Sequence, residues 1–301
     1  MAISVAWRST IAAVLAAGAV IGSSPSAQAG LFKQAPKPAA TVNDDGLAAV
    51  QRALAEDRLT DAAKMLDQAF LAGATDPRLT LLAGQLNLAR GRNEDALANY
   101  KRAEADPGSN AQALEGQGVA LSLLGRSDEA FSMLQKAVAA NPAAWRAWNA
   151  LGGEYDARKQ WSQADAAYER AISGSQGAAI VLNNRGFSRL LQRRLDEAVK
   201  DFVDALAKKP DLAAARTNLR IAMAMRGEYD KAVAGATADS EAGALNNAGF
   251  AAMLQGDYAA AEELFQRAMN AKGEFYGRAS VNLQLAHELR LKASEAKPTP
   301  R

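Results

Sequence analysis

The sequence predicts an all-α fold, an α-solenoid of about seven helical hairpins closed by a C-terminal capping helix, in a chain of 301 residues. Three observations carry the prediction. Residues 145–212 state one pattern twice, 34 residues apart, with Trp148, Leu151, Gly152, Tyr155, Ala164, Tyr168 and Ala171 followed by Leu182, Gly186, Ala198, Phe202, Ala205 and Pro210. Each period holds two amphipathic helical stripes. A small residue recurs at the eighth place of five of the periods, at Gly84, Gly118, Gly152, Gly186 and Gly249. A hairpin of this size cannot bury its apolar face alone and must stack on its neighbours.

Taken in order, residues 1–29 carry one basic residue, Arg8, an apolar run from Ile11 to Ile21, and the small-residue triplet Ala27-Gln28-Ala29. This composition reads as a secretory signal peptide cleaved after Ala29. The run is shorter than the roughly 20 residues a stable bilayer span needs, so no membrane insertion is expected after cleavage. Residues 30–42, with Pro36 and Pro38, have no helical period and read as a flexible linker. The solenoid is assigned to 43–276, the capping helix to 277–296 and a disordered tail, with Pro298 and Pro300, to 297–301.

Within the solenoid the first hairpin, to Asp76, is the most divergent and offers Ala62, Leu66 and Ala69 as the inner stripe of its second helix. The second has Gly84, Gly91, Ala96, Tyr100 and Ala103, and the third Gly118, Leu121, Gly125, Ala130, Leu134 and Ala137. Ala130, Ala164 and Ala198 keep the 34-residue register through the fourth and fifth. The sixth, from Ala213, is cut short. Gly249 follows Gly227 by 22 residues where 27 would hold the phase, so five residues are missing from its second helix or the turn after it. The seventh has Leu245, Gly249, Gly256, Ala261, Phe265 and Ala268.

Each recurring feature has a physical reason. A small eighth residue lets two helices approach closely. Glycine at the hairpin turn (Gly91, Gly125, Gly227, Gly256) permits the left-handed conformation that ends a helix. The acidic pairs Glu94-Asp95, Asp128-Glu129 and Asp196-Glu197 fall in the first turn of a helix, where the dipole favours negative charge. They read as helix starts and not as catalytic carboxylates.

These places resemble the tetratricopeptide repeat, from about Asn43 to Lys272, and Trp148…Leu151-Gly152…Tyr155…Ala164…Tyr168…Ala171 is close to that repeat's full signature. The resemblance implies a right-handed superhelix whose first helices line a concave groove. A finer resemblance lies in Asn183-Asn184-Arg185-Gly186-Phe187, Thr217-Asn218-Leu219-Arg220-Ile221-Ala222 and Asn246-Asn247-Ala248-Gly249-Phe250, in that order, with the shortened hairpin between. This is similar to the TadD family of Tad/Flp pilus assembly proteins, exported repeat proteins associated with the pilus secretion machinery. Members are commonly lipoproteins, whereas this chain has no cysteine to lipidate.

The groove is expected to hold an extended peptide or partner protein, pilus or secretin components being the partners the resemblance implies. Asn184, Asn218, Asn247 and Asn282 fall at matching places, and a row of amides can pair with a peptide backbone whatever its side chains. Equally, each can bond a neighbouring helix or face water. Beside them stand Phe187 and Leu191, Ile221 and Met225, and Phe250 and Met253, an apolar set that would mark a binding surface if exposed. The amino half of the groove, with Arg78, Gln85, Gln112 and Glu115, is more polar.

Composition narrows the function. The 35 basic and 33 acidic residues interleave, and removing Arg8 with the signal lowers the net charge from +2 to +1, so nothing attracts nucleic acid. His287 is the one histidine and there is no cysteine, so neither a His-based triad nor an ordinary His/Cys metal site can be assembled. No phosphate-binding glycine loop precedes Lys-Ser or Lys-Thr. The sequence reads as a periplasmic scaffold without cofactor or catalysis, a monomer or weak oligomer, acting in pilus assembly. The alternatives are an adaptor for polysaccharide export or cell-wall synthesis, and an accessory subunit of an enzyme complex.

Overall fold

The 34-residue period folds as pairs of antiparallel helices. The structure, a computed structural model, describes residues 44–272 and 276–295; the signal, linker and tail assigned above lie outside these residues. Among the described residues there are fifteen helices and no strand. The chain divides between Ser175 and Gln176 into two compact units. The first holds four hairpins, α1 (Asp44–Ala55) with α2 (Leu59–Leu71), α3 (Pro77–Ala89) with α4 (Asn93–Ala103), α5 (Asn110–Leu123) with α6 (Ser127–Ala140), and α7 (Trp145–Ala157) with α8 (Trp161–Gly174). The second holds α9 (Ala179–Leu191) with α10 (Leu195–Lys208), α11 (Ala213–Met225) with α12 (Tyr229–Val233), α13 (Ala238–Leu254) with α14 (Tyr258–Lys272), and the single helix α15 (Gly277–Glu295). In both units successive first helices pack on one another, α3 on α5 and α5 on α7, α9 on α11 and α11 on α13. Each unit is therefore a stack of hairpins with a continuous seam, the solenoid arrangement expected.

The eighth-place glycines show why the stack is tight. In each complete hairpin from the second onward a bulky residue stands sixteen positions further along, and its side chain lies where a β-carbon would go. A β-carbon added at Gly84 would sit 2.7 Å from Tyr100, at Gly118 2.5 Å from Leu134, at Gly152 2.6 Å from Tyr168, and at Gly186 and Gly249 2.8 Å from Phe202 and Phe265. The rings are buried, Phe202 and Phe265 completely. This pairing of a glycine with a bulky side chain, a ring in all but the third hairpin, recurs as the core contact of the hairpin. Tyr168 keeps its polar end satisfied by donating to Asp156 Oδ2 at 2.9 Å, and burial beside that carboxylate holds its phenol well above the ordinary range.

The turns also follow the period. Gly125 has φ +74° and Gly227 +80°. One and two periods after Gly125 the chain has Lys159 and Arg193, which adopt φ +57° and +61° without glycine, at a cost of roughly 1–2 kcal/mol each. The acidic pairs do begin helices. Hydrogen bonds from Arg126 and Arg194 hold the Glu129 and Glu197 carboxyls below the usual range.

The sixth hairpin departs from the rest. Its second helix, α12, has 5 residues, against 14 in α10. The missing residues therefore come from the second helix. The chain turns at Gly235, φ +68°, and α13 starts early, with 17 residues and a reciprocal cap between Thr237 and Ser240. The extra turn at the start of α13 occupies chain length that elsewhere belongs to a second helix.

Candidate partner-binding site

The expected site lies on the first helices of the second unit, α9, α11 and α13, and on α15. Its asparagines do not form one exposed row. Asn218 is buried, 3% exposed, and its Nδ2 donates to Asn183 Oδ1 on the preceding first helix at 3.0 Å. Asn282 Nδ2 donates in the same way to Asn246 Oδ1 at 3.1 Å. Asn183 and Asn246 are themselves buried. Asn183 also donates to Asn184 Oδ1 at 3.2 Å. The buried amide of Asn218 is thus committed to stitching adjacent first helices, because a buried amide left unbonded is costly, and half-buried Asn282 makes the corresponding bond from α15. Asn183 and Asn246 are the accepting half of this pairing, each the first member of an Asn-Asn doublet. Asn184 and Asn247 are half-buried; Asn247 lines a cleft described below.

The apolar set divides similarly. Met225 and Met253, expected at the groove, are buried at 8% and 7% exposure, in the core of the second unit with Leu245, Phe265 and Ala286. Unbranched methionine adapts its shape to such a core. Phe187, Ile221 and Phe250 are half-buried, packed on that core with an edge accessible, and Leu191 is half-buried as well. What remains accessible of the expected apolar set is Phe187 and Leu191 on α9, Ile221 on α11 and Phe250 on α13, a smaller surface than the patch expected. More exposed are Val281 and Leu285 of α15, so that helix is less polar outside than a solvent-facing cap requires.

Two polar features of the second unit were not anticipated. Asp201 of α10, 1% exposed, accepts from Arg185 at 2.7 and 2.9 Å and from Arg189 at 2.7 Å. Arg185 and Arg189 are one turn apart on α9 and face Asp201 together, which only the packed hairpin reveals. The second is a cleft of about 230 Å³ between α11 and α13, lined among others by Thr217, Arg220, Ser240, Gly243 and Asn247.

In the first unit, Arg78 is spent on Asp76 and Asp44. Gln85 and Gln112 are exposed. Burial pushes the Glu115 carboxyl up, and the nearby Arg146 and the Ala147 N–H only partly oppose this. Glu154 accepts from Ser122 Oγ at 2.8 Å, from Ser127 Oγ and from Arg158 Nη1 at 2.9 Å, tying the third hairpin to the fourth. No apolar row comparable to Phe187, Ile221 and Phe250 was expected there. Among the described residues no three acidic or histidine side chains gather as a metal site, and no helix is long and apolar enough to cross a membrane.

A stack of glycine-locked hairpins with a ladder of first helices defines a helical-repeat protein. Models of the tetratricopeptide repeat match residues 47–110, 81–142 and 242–275, so those segments of the chain are tetratricopeptide repeats. No curated protein sequence matches it. Among solved structures, a tetratricopeptide repeat protein from Parabacteroides merdae ATCC 43184 is 16% identical with a TM-score of 0.50, over 81% of this chain and 98% of that one. The Cut9-Hcn1 hetero-tetramer of APC/C matches at 16% identity and TM-score 0.57, over 80% of this chain and 48% of that one. A thermophilic repeat protein of Thermus thermophilus matches at 21% and 0.52, over 60% and 97%. At these identities the likeness speaks for the fold.

Proposed function

We propose that the protein is an exported, non-catalytic scaffold that binds a protein or peptide partner on the first-helix surface of its second unit, in the assembly of a Tad/Flp-type pilus or its secretion channel. The observation that carries the binding surface is the row Phe187, Ile221 and Phe250. These are half-buried apolar side chains at the same place on α9, α11 and α13, and such anchors with an accessible edge are where partner side chains gain most. The pilus setting is supported by the doublets Asn183-Asn184 and Asn246-Asn247 flanking a shortened hairpin, and the periplasmic location by residues 1–29.

The test is site-specific photo-crosslinking in the source cell, with the probe placed at Phe187 or Phe250 and, as a control, at the exposed Phe70 of the first unit. The expected result is capture of pilus or secretin components from the first two positions and not from the third. Equal capture from Phe70 would remove the surface, and capture of polysaccharide-export or cell-wall enzymes would remove the pilus setting. A Phe187→Ala/Phe250→Ala double variant should lose the partner while keeping its helical circular dichroism.

A further inference from the structure

We infer that the outer face of α15 is a self-association surface, on which a second copy of this chain lays its own α15 antiparallel. The helix stands where the first helix of an eighth hairpin would be, packed on α13 and α14. Among the described residues no further helix follows to cover its other side. The inner side is fixed. Ala279 and Ala286 are buried in the core of the second unit with Leu283 and Leu289 packed against it, and Glu262 of α14 lies 3.1 Å from His287 Nδ1 and 3.2 Å from Arg290 Nη1.

The outer side carries Val281 and Leu285, 67% and 40% exposed, four residues apart and so on one stripe. Leu291, also exposed, stands on the flank, and no other described helix exposes three large apolar side chains. Arg278 and Glu288 extend the stripe by a turn at either end. Both are exposed, and neither makes an ion pair or hydrogen bond among the described residues.

The order Arg278, Val281, Leu285, Glu288 selects the occupant. Turned end for end about position 283, the stripe is its own complement: Arg278 meets Glu288 of the second copy and Val281 meets Leu285, and both contacts recur in reverse, as a twofold pair requires. A parallel pair would instead set arginine on arginine and glutamate on glutamate, which repel. A head-to-tail contact has less to offer, because α1, the first helix of the first unit, exposes Asp44, Asp45, Gln51 and Arg52 and no large apolar side chain. The contact uses about three turns of one helix per copy. That falls short of the roughly 1,200 Å² of a stable interface, so the dimer is reversible and forms at micromolar concentrations or above.

This surface goes beyond the scaffold reading and does not rest on it. The test is sedimentation equilibrium of the full chain from about 1 to 500 µM, with circular dichroism as the check that each variant keeps its helices. The unaltered chain should pass from monomer to dimer and no further. Val281→Asp, Arg278→Glu and Glu288→Arg should each weaken the dimer at least about tenfold, since every change falls on two symmetric contacts. The Arg278→Glu/Glu288→Arg double variant should restore it to within about threefold. An equimolar mixture of the two single charge variants should associate more tightly than either alone, because the all-acidic stripe of one then faces the all-basic stripe of the other. Phe187→Ala/Phe250→Ala should dimerise as the unaltered chain does.

A chain that stays monomeric throughout, growth beyond a dimer, a dimer that survives Val281→Asp, or charge reversals that neither weaken it nor recover on mixing overturns the inference. Loss of the dimer in Phe187→Ala/Phe250→Ala would overturn it as well, by moving the contact to the partner row. Each of these leaves the scaffold reading to its own test, crosslinked capture from Phe187 or Phe250.

Discussion

The fifth and sixth hairpins begin alike and end differently. Both open with a thirteen-residue first helix carrying asparagine at the sixth place, Asn184 and Asn218. The fifth is then closed by a full second helix that supplies Phe202 against Gly186 and Asp201 against two arginines. The sixth has 5 residues in place of that helix, and α11 packs directly on α13. What keeps the series continuous is therefore the contact between successive first helices, reinforced by Asn218 to Asn183 and Asn282 to Asn246. The second helix provides closure, and where it is cut back a cleft results.

That comparison can be broken most forcefully at Asp201. Asp201→Ala leaves Arg185, at 16% exposure, without its counter-charge and Arg189, at 13%, with only the longer 3.7 Å pair to Glu197, and should lower stability by about 3 kcal/mol, near the low end for a broken buried pair. The sixth hairpin has no equivalent group to lose. Gly186→Val comes next, at about 1–3 kcal/mol for overpacking against Phe202, whereas Arg220→Ala at the matching place should change stability by less than about 0.5 kcal/mol. Urea unfolding midpoints would check both, and equal effects at the two places would refute the idea that closure has been lost in the sixth.

A smaller difference is expected between the two asparagines. Asn218→Ala strands the buried Asn183 oxygen and should cost about 1–2 kcal/mol, more than Asn184→Ala at its half-buried place, measured in the same way. Smallest, and opposite in sign, Arg193→Gly relieves a left-handed residue and should stabilise by up to about 1 kcal/mol. Gly227→Ala, one period later, should destabilise by a similar amount. Thermal melts of the pair would show the reversal.

The period, the hairpin count, the shortened sixth unit and the turn glycines were all legible, because each depends on residue type at fixed spacing and on short-range sterics. The spacing also anticipated that the seam residues would be buried. It misassigned Asn218, Met225 and Met253 to an open groove, since an amide or a thioether beside the seam reads the same whether it faces water or the next helix. The charge cluster at Asp201 was hidden for a related reason. Nothing in a list of residues says that Arg185 and Arg189 meet a carboxylate on the returning helix, and the acidic pair Asp196-Glu197 is explained by the helix start alone.

By itself, then, the sequence determined the class of fold and the places of its hairpins, since repeating apolar stripes admit one way of leaving water, which is to stack. Only the tertiary structure decided which polar groups are consumed within the stack and which remain for a partner. That choice depends on how far each helix lies from the next, a distance fixed by ring against glycine in the fifth hairpin and left open at Arg220 in the sixth.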